Sequence, residues 1–193
     1  MGYHRAGFEV VGVDIAPQPN YPFEFIQADA LEYPLDGFDA IHASPPCQAY
    51  TALATGEHPR LIEPMRERLA SSGVPWVIEN VVGAPLRRPV LLCGSMFGLN
   101  VRRHRLFEGH VPVLTPNCSH GIQREIRAYY GNPGWLAYRR KGDGSALLRG
   151  SLKQAPRDMG IDWMLEWDEV REAVPPAYTE FIGKALLAAR KAA

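Results

Sequence analysis

Short apolar segments alternate with amphipathic stretches over the first 80 residues. Four of these segments are rich in β-branched and aromatic residues, which predicts strands at 8–14, 23–29, 38–44 and 76–82. Residues 59–72 carry apolar side chains at helical spacing and precede Gly73, which predicts a helix. Strands that alternate with helical stretches predict an α/β fold with a parallel sheet.

The pattern changes after residue 95. A further strand is predicted near 104–108, and residues 176–191 have the spacing of an amphipathic helix. Between them, residues 111–157 are rich in Gly, Pro, Tyr and Arg and show little periodicity, which predicts an irregular insert. We therefore expect a core at 1–110, an insert at 111–157, and a C-terminal segment at 158–193 that returns to the core.

Composition and charge narrow the class of protein. The 193 residues carry no net charge, yet residues 99–157 hold 11 Lys/Arg against 3 Asp/Glu, a net charge of +8. Such a basic segment suits a polyanion, although a solvated loop region would look the same. The sequence has no apolar run of membrane-spanning length and no apolar signal core at its start. Three widely spaced cysteines argue against a disulfide framework, so we expect a cytoplasmic protein.

Polar residues follow each predicted strand. Asp14 and Asp29 end the first two, residues 44–47 follow the third, and Glu79–Asn80 lie at the end of the fourth. Because ligands bind at the carboxyl ends of parallel strands, these residues predict a common site. The alternative for the two aspartates is an ordinary turn after a strand.

Two prolines, Pro45 and Pro46, stiffen the backbone directly before Cys47. A stiff, partly exposed thiol near positive charge can serve as a nucleophile, whereas a structural cysteine in a proline turn is the alternative. A carboxyl group at the end of an apolar strand, as at Glu79, can retain a proton and donate it. Arg103 and Arg105 alternate, so we expect both on one face of a strand, where they could hold phosphate or a base carbonyl.

Four motifs in this order resemble the DNA cytosine-C5 methyltransferase family, in particular its compact bacterial and phage members: Pro46-Cys47-Gln48, Glu79-Asn80-Val81, Arg103-His104-Arg105, and residues 174–183. The resemblance implies a Rossmann-like sheet dependent on S-adenosylmethionine, and double-stranded DNA whose target cytosine is flipped out. It implies that Cys47 attacks C6 of this cytosine and that Glu79 acts at N3 before C5 accepts a methyl group. Arg103 and Arg105 would hold the base. The positioning residues would be Pro46, Gln48 and Asn80.

The same resemblance assigns the cofactor and the DNA contacts. Asp14 would bind the ribose hydroxyls of S-adenosylmethionine, and Ile15 would lie against its adenine ring. Asp29 would accept a hydrogen bond from the amino group of the adenine. Pro45 would also contact the cofactor. The insert falls where the family keeps its target-recognition region. Its candidate DNA contacts are Arg and aromatic residues: Arg124, Arg127, Tyr129, Tyr130, Trp135, Arg139 and Arg140.

The sequence departs from the family at its start. Family members normally open with a strand and a glycine-rich turn around the methionine end of the cofactor, whereas residues 1–10 predict the end of the following helix. We therefore expect an N-terminally truncated sheet. Three explanations stay open: a longer natural protein, a second chain or homodimer that completes the sheet, or a non-catalytic DNA-binding or accessory remnant. A more remote alternative is transfer of another one-carbon group to a pyrimidine.

A metal site is not expected. Cys118 and His120 form a Cys-x-His pair, but a zinc site needs about four ligands, and only His104 and His110 lie nearby in the sequence. Cys93 lies in an apolar run and is expected in the core.

Overall fold

The computed structural model describes residues 1–51, 56–112, 114–130, 139–140 and 145–192. The helices are α1 (Gly2–Ala6), α2 (Ile62–Ala70), α3 (Ala155–Met159), α4 (Trp167–Glu172) and α5 (Pro176–Ala192). The strands are β1 (Val11–Asp14), β2 (Glu24–Gln27), β3 (Ile41–Ala43), β4 (Trp76–Val81), β5 (Val90–Leu92), β6 (Arg105–Gly109), β7 (Glu125–Ala128), β8 (Arg139–Arg140) and β9 (Ala146–Arg149). Short 3-10 helices lie at Gln48–Tyr50, Gly94–Phe97, His120–Ile122 and Leu152–Gln154. The fold is mixed α/β.

A four-stranded sheet forms the centre, in the order β3-β4-β6-β5. Its middle strands bury Val77, Ile78 and Phe107 completely, which explains the dense apolar pattern of these segments. Strands β3 and β4 are parallel, as predicted, but β6 runs antiparallel to both β4 and β5. The expectation of a wholly parallel sheet is therefore wrong, and strand β5 was not predicted.

The first two strands form a separate parallel sheet. β1 pairs with β2 from Val11 opposite Glu24 to Asp14 opposite Gln27. One further hydrogen bond joins the ends of these strands, from the Ala28 amide to the Asp14 carbonyl at 3.0 Å. Asp14 and Asp29 therefore lie at the same carboxyl edge, as the sequence predicts.

Helices α1 and α5 pack together against the central sheet. Tyr178, Ile182 and Leu186 of α5 join the same core cluster as Val77 and Phe107. The two helices approach closely at Gly2, where an added Cβ would lie 2.1 Å from the carbonyl oxygen of Pro176. The predicted helices at both ends of the chain are confirmed, and α5 supports the strands that carry the candidate site.

The segment 111–157 is more regular than predicted. It contains a three-stranded sheet in the order β7-β9-β8, with β7 parallel and β8 antiparallel to β9. Buried residues such as Ile126 and Tyr129 give it a core, which continues into α3 and α4. The strands are only two to four residues long, which is too short for a clear alternation in the sequence.

The described helices include none that combines the length and the apolar character required to cross a membrane.

Candidate active site

A side chain of strand β4 holds the loop that carries Cys47. Asn80, which is 1% exposed, donates from Nδ2 to the carbonyl oxygen of Pro45 at 2.8 Å. Pro45 is buried and Pro46 is exposed, and Cys47 follows with its thiol half-buried and free of any disulfide. Oε1 of Gln48 is buried and accepts no hydrogen bond from the described residues. Asn80 thus joins the Cys47 loop to strand β4.

Glu79 lies beside this loop, on strand β4, and is 6% exposed. Arg105 pairs with it through a contact of 3.0 Å between Nε and Oε1, and Ser44 hydrogen-bonds to its carboxylate. Burial raises the pKa of Glu79, and the nearby Arg105, Ser44 and Arg103 only partly offset this effect. The carboxyl group therefore holds its proton to a higher pH than an exposed glutamate, as a proton donor requires.

Arg103 does not lie on a strand, contrary to the prediction. Its φ of 29° is in the left-handed region, and strand β6 begins only at Arg105. The guanidinium donates to the carbonyl oxygens of Tyr129 and Arg171, and its Nε is buried without a partner among the described residues. Burial and the charge of Arg105 lower the pKa of Arg103 to about 9, while Glu79 and the Cys47 thiol act on it in the opposite direction.

Tyr178 of α5 supports the turn at Arg103. Its hydroxyl donates to the carbonyl oxygen of Arg103 at 2.9 Å. Tyr178 belongs to the C-terminal motif at 174–183, yet no role for it followed from the sequence. The structure gives it one, since it joins the terminal helix to the arginine turn.

A row of hydrogen bonds that the sequence did not predict leads to Glu79. The hydroxyl of Tyr3 lies 2.7 Å from Nδ1 of His42, and Nε2 of His42 lies 2.9 Å from Oγ of Ser44. Ser44 in turn bonds to Glu79. The only sequence signal was a histidine inside an otherwise apolar strand. Burial lowers the pKa of His42 to about 4, so its imidazole is neutral near pH 7.

We expect protonation of His42 to lower the free energy of unfolding by about 3 kcal/mol as the pH is lowered from 6.5 to 4. The pKa of His42 is 6.5 in its ordinary state and about 4 in the fold, so the unfolded chain binds a proton first. Urea unfolding of His42→Gln should show a flatter pH profile in this window, whereas the exposed His4→Gln should keep the wild-type slope. An unchanged slope in His42→Gln would assign the acid sensitivity to other groups.

A cavity of about 510 Å³ separates β1 from β3, and both strands line it. Asp14 and Ser44 contribute to its wall, together with Trp163 and Met164 from the C-terminal segment. Ile15 is 71% exposed next to Asp14. Oδ1 of Asp14 caps the amide of Ala16, and Oδ1 of Asp29 caps that of Leu31, both at 2.8 Å. Both aspartates therefore make the turns considered as the alternative, and these turns use one carboxylate oxygen each.

The candidate DNA contacts lie in different environments. Tyr129 is 1% exposed, donates to Asp158 at 2.9 Å and stacks on Trp167, so its prediction as a DNA contact is wrong and it belongs to the core. Arg127 is paired with Glu125 at 3.2 Å. Arg124 and Tyr130 are exposed. Only the backbone of Arg139 and Arg140 is described, and Trp135 lies outside the described residues.

The Cys/His cluster, which comprises Cys93, His104, Cys118 and His120, brings four metal-ligating atoms within 4.8 Å of one another. Cys93 is fully buried, as expected of a core residue, but its thiol lies against His120 at 3.2 Å. The sequence argument against a metal site paired Cys118 and His120 with His104 and His110. In the structure Cys93 is the residue that joins the first three of these, whereas His110 contacts Trp76.

No protein-family model matches the sequence, and no curated protein matches it at a significant level.

Proposed function

We propose that this chain carries the catalytic residues of a DNA cytosine-C5 methyltransferase with a Rossmann-like sheet, acting in the cytoplasm of a bacterium or of a phage-infected cell. One observation carries the proposal. The Cys47 loop is held by Asn80, and the adjacent Glu79 is buried and paired with Arg105 at 3.0 Å. A nucleophile, a proton donor and a fixed cation thus meet at the carboxyl ends of β3 and β4.

The first step assigned to this chain is addition of the Cys47 thiolate to C6 of a flipped cytosine, which forms an S–C6 bond. Electron density moves through the ring toward N3, where Glu79 supplies a proton. Neutralisation at N3 prevents negative charge from building on the base and makes C5 nucleophilic. The raised pKa of Glu79 suits this role, since the group must be protonated before the reaction.

The two arginines have different tasks. Arg105 shares its guanidinium with Glu79 and orients the carboxyl group. Arg103 donates hydrogen bonds to two backbone carbonyls, and its Nε has no partner among the described residues. We assign this Nε–H to the carbonyl oxygen of the base. Bound S-adenosylmethionine would supply an electrophilic methyl group to C5. Loss of the C5 proton to solvent, return of the N3 proton to Glu79 and cleavage of the S–C6 bond would then release Cys47 and the methylated base.

The described residues fit part of a cofactor site. Asp14 faces the cavity between β1 and β3, and the exposed Ile15 beside it could cover an adenine ring. Asp29 lies at the same edge of the sheet, where it could accept a hydrogen bond from the amino group of the adenine. Pro45 is buried and would meet the cofactor only at the base of the Cys47 loop. We assign the nucleoside half of S-adenosylmethionine to this edge.

The cavity also supports a second chain as partner. β1 pairs only with β2, and β3 pairs with β4, so within the described residues the edges of β1 and β3 that border the cavity have no strand partner. An extended segment between them would join the two sheets into one, as in recognition by strand addition. We propose that this segment is a strand of another polypeptide, whose following turn would cover the methionine half of the cofactor.

Asp14→Ala should weaken the binding of S-adenosylmethionine, measured by calorimetry, at least about tenfold, because a charged acceptor contributes about 1.5–3 kcal/mol. Asp36→Ala, which removes an exposed carboxylate in a loop, should bind as the wild type does. Equal affinity in Asp14→Ala would contradict the assigned ribose contact. Absence of binding to the wild-type chain at millimolar cofactor would show that this chain alone does not form the site.

The function itself is tested without cofactor. Addition of Cys47 to C6 makes C5 basic, so the tritium of [5-³H]cytosine in double-stranded DNA of mixed sequence should exchange with water. Time-dependent release of tritium supports the methyltransferase chemistry even where the cofactor site is incomplete. DNA binding without release would contradict it and favour the non-catalytic DNA-binding alternative.

A further inference from the structure

We propose that the Cys/His cluster binds one zinc ion in a tetrahedral structural site. Its four donors are two thiols and two imidazoles, the ligand set that zinc takes in Cys₂His₂ sites. All four ligand atoms lie within 4.8 Å of one another, and both cysteines are free of disulfides. The inference does not depend on the methyltransferase function.

One sulfur–nitrogen distance matches a tetrahedron around a single ion, and a second is a few tenths of an ångström shorter. With Zn–S of about 2.3 Å and Zn–N of about 2.0–2.1 Å, neighbouring sulfur and nitrogen ligands lie about 3.5–3.6 Å apart. Cys118 Sγ lies 3.6 Å from Nε2 of His104, and Cys93 Sγ lies 3.2 Å from Nε2 of His120. Each histidine thus directs the same ring nitrogen toward the centre, and the two rings are inclined by 64°.

Ser95 lies next to the cluster and hydrogen-bonds to one of its ligands, as residues around the ligands of a metal site commonly do. Oγ of Ser95 lies 3.1 Å from Cys93 Sγ and accepts a hydrogen bond from the Ser119 amide at 3.1 Å. Ser95 therefore touches one ligand and positions the segment between the other cysteine and His120. Such second contacts fix ligand orientation in zinc sites.

The site would join three parts of the chain. Cys93 follows β5, His104 lies between Arg103 and Arg105, and the other two donors belong to the segment between β6 and β7. Four protein ligands leave no position for water or substrate, so the ion would be structural. Two thiolate ligands balance the charge of Zn²⁺ and produce a site without net charge. The ion would hold the arginine turn against the segment that leads into the small sheet.

The first test is the metal content of the protein purified under reducing conditions without chelator. About one zinc per chain is expected in the wild type, and replacement by Co²⁺ should give the intense visible bands of tetrahedral cobalt with a thiolate charge-transfer band. Cys118→Ser removes an exposed ligand, so the fold should survive while zinc affinity falls by more than about 100-fold. Loss of a residue that hydrogen-bonds to a metal ligand lowers metal affinity by about 10–100-fold. Ser95→Ala should lower zinc affinity by a factor in that range.

Two variants serve as matched controls. Cys47→Ser removes a cysteine outside the cluster, and His110→Asn removes the exposed histidine beside Trp76; both should keep full zinc content and the cobalt spectrum. Zinc content equal in the wild type and Cys118→Ser, without tetrahedral cobalt bands, would overturn the proposal. A Cys93–Cys118 disulfide in the freshly isolated protein, detected by mass spectrometry in the absence of metal, would overturn it as well.

Discussion

Replacement of Cys47 by Ser is expected to reduce tritium release from cytosine C5 by at least about 10³-fold, because removal of an enzyme's nucleophile costs up to about 10⁶ in turnover. A serine hydroxyl fits the same loop but is a much weaker nucleophile toward C6. The loop itself should persist, since Asn80 holds it through the carbonyl of Pro45 rather than through the thiol. Release should be measured under single-turnover conditions with excess protein.

Stability and DNA binding provide the controls for this variant. Cys47 is half-buried and lies outside the buried core clusters, so the midpoint of urea unfolding should change little. Binding to double-stranded DNA should also be retained, because the change removes no charge. Equal tritium release by the wild type and the serine variant would assign the exchange to another group and would contradict the assignment of Cys47 as nucleophile.

The sequence predicted the strands around the site well, since each is a short apolar segment that ends in a polar residue. Its error at Arg103 has a physical cause. Alternation of Arg103 and Arg105 indicates a strand, but hydrogen bonds to Tyr129 and Arg171, 26 and 68 residues away, hold Arg103 in a left-handed turn. Local spacing contains no information on such distant backbone partners.

Residues with two possible environments were the other source of error. Tyr129 lies in an Arg-rich segment and suits a DNA surface, yet its hydroxyl has a buried acceptor in Asp158, which makes a core position stable. Cys93 was assigned to the core correctly, but its partner His120 is 27 residues distant, so no short motif indicates the cluster. The charge pattern and the motif order indicated the candidate chemistry, whereas the supporting contacts required the structure.

Glu79→Gln is expected to lower the rate of tritium release by about 10²–10⁴-fold, the usual contribution of a general acid. Glutamine keeps the shape and can still accept from Arg105, but it cannot deliver a proton to N3. The wild-type rate should fall as the pH rises through the raised pKa of Glu79, because deprotonation then removes the donor. This alkaline limb should disappear in the glutamine variant, whose residual rate should depend less on pH.

Glu108 is a matched control for this variant on the neighbouring strand. It is also a buried glutamate in an arginine pair, with its Oε1 2.6 Å from Nε of Arg66. The described hydrogen bonds and ion pairs of its carboxylate are with Arg66 and the Arg87 amide, not with a candidate catalytic residue. Glu108→Gln leaves the buried guanidinium of Arg66 with the half-exposed Glu63 as its remaining ion-pair partner, so the free energy of unfolding should fall by at most about 3–5 kcal/mol. Its rate per folded molecule should nevertheless match the wild type. If both variants lost tritium release only in proportion to their folded fraction, Glu79 would be a structural residue. A loss of rate per folded molecule confined to Glu79→Gln would assign the proton transfer to the carboxyl group of Glu79.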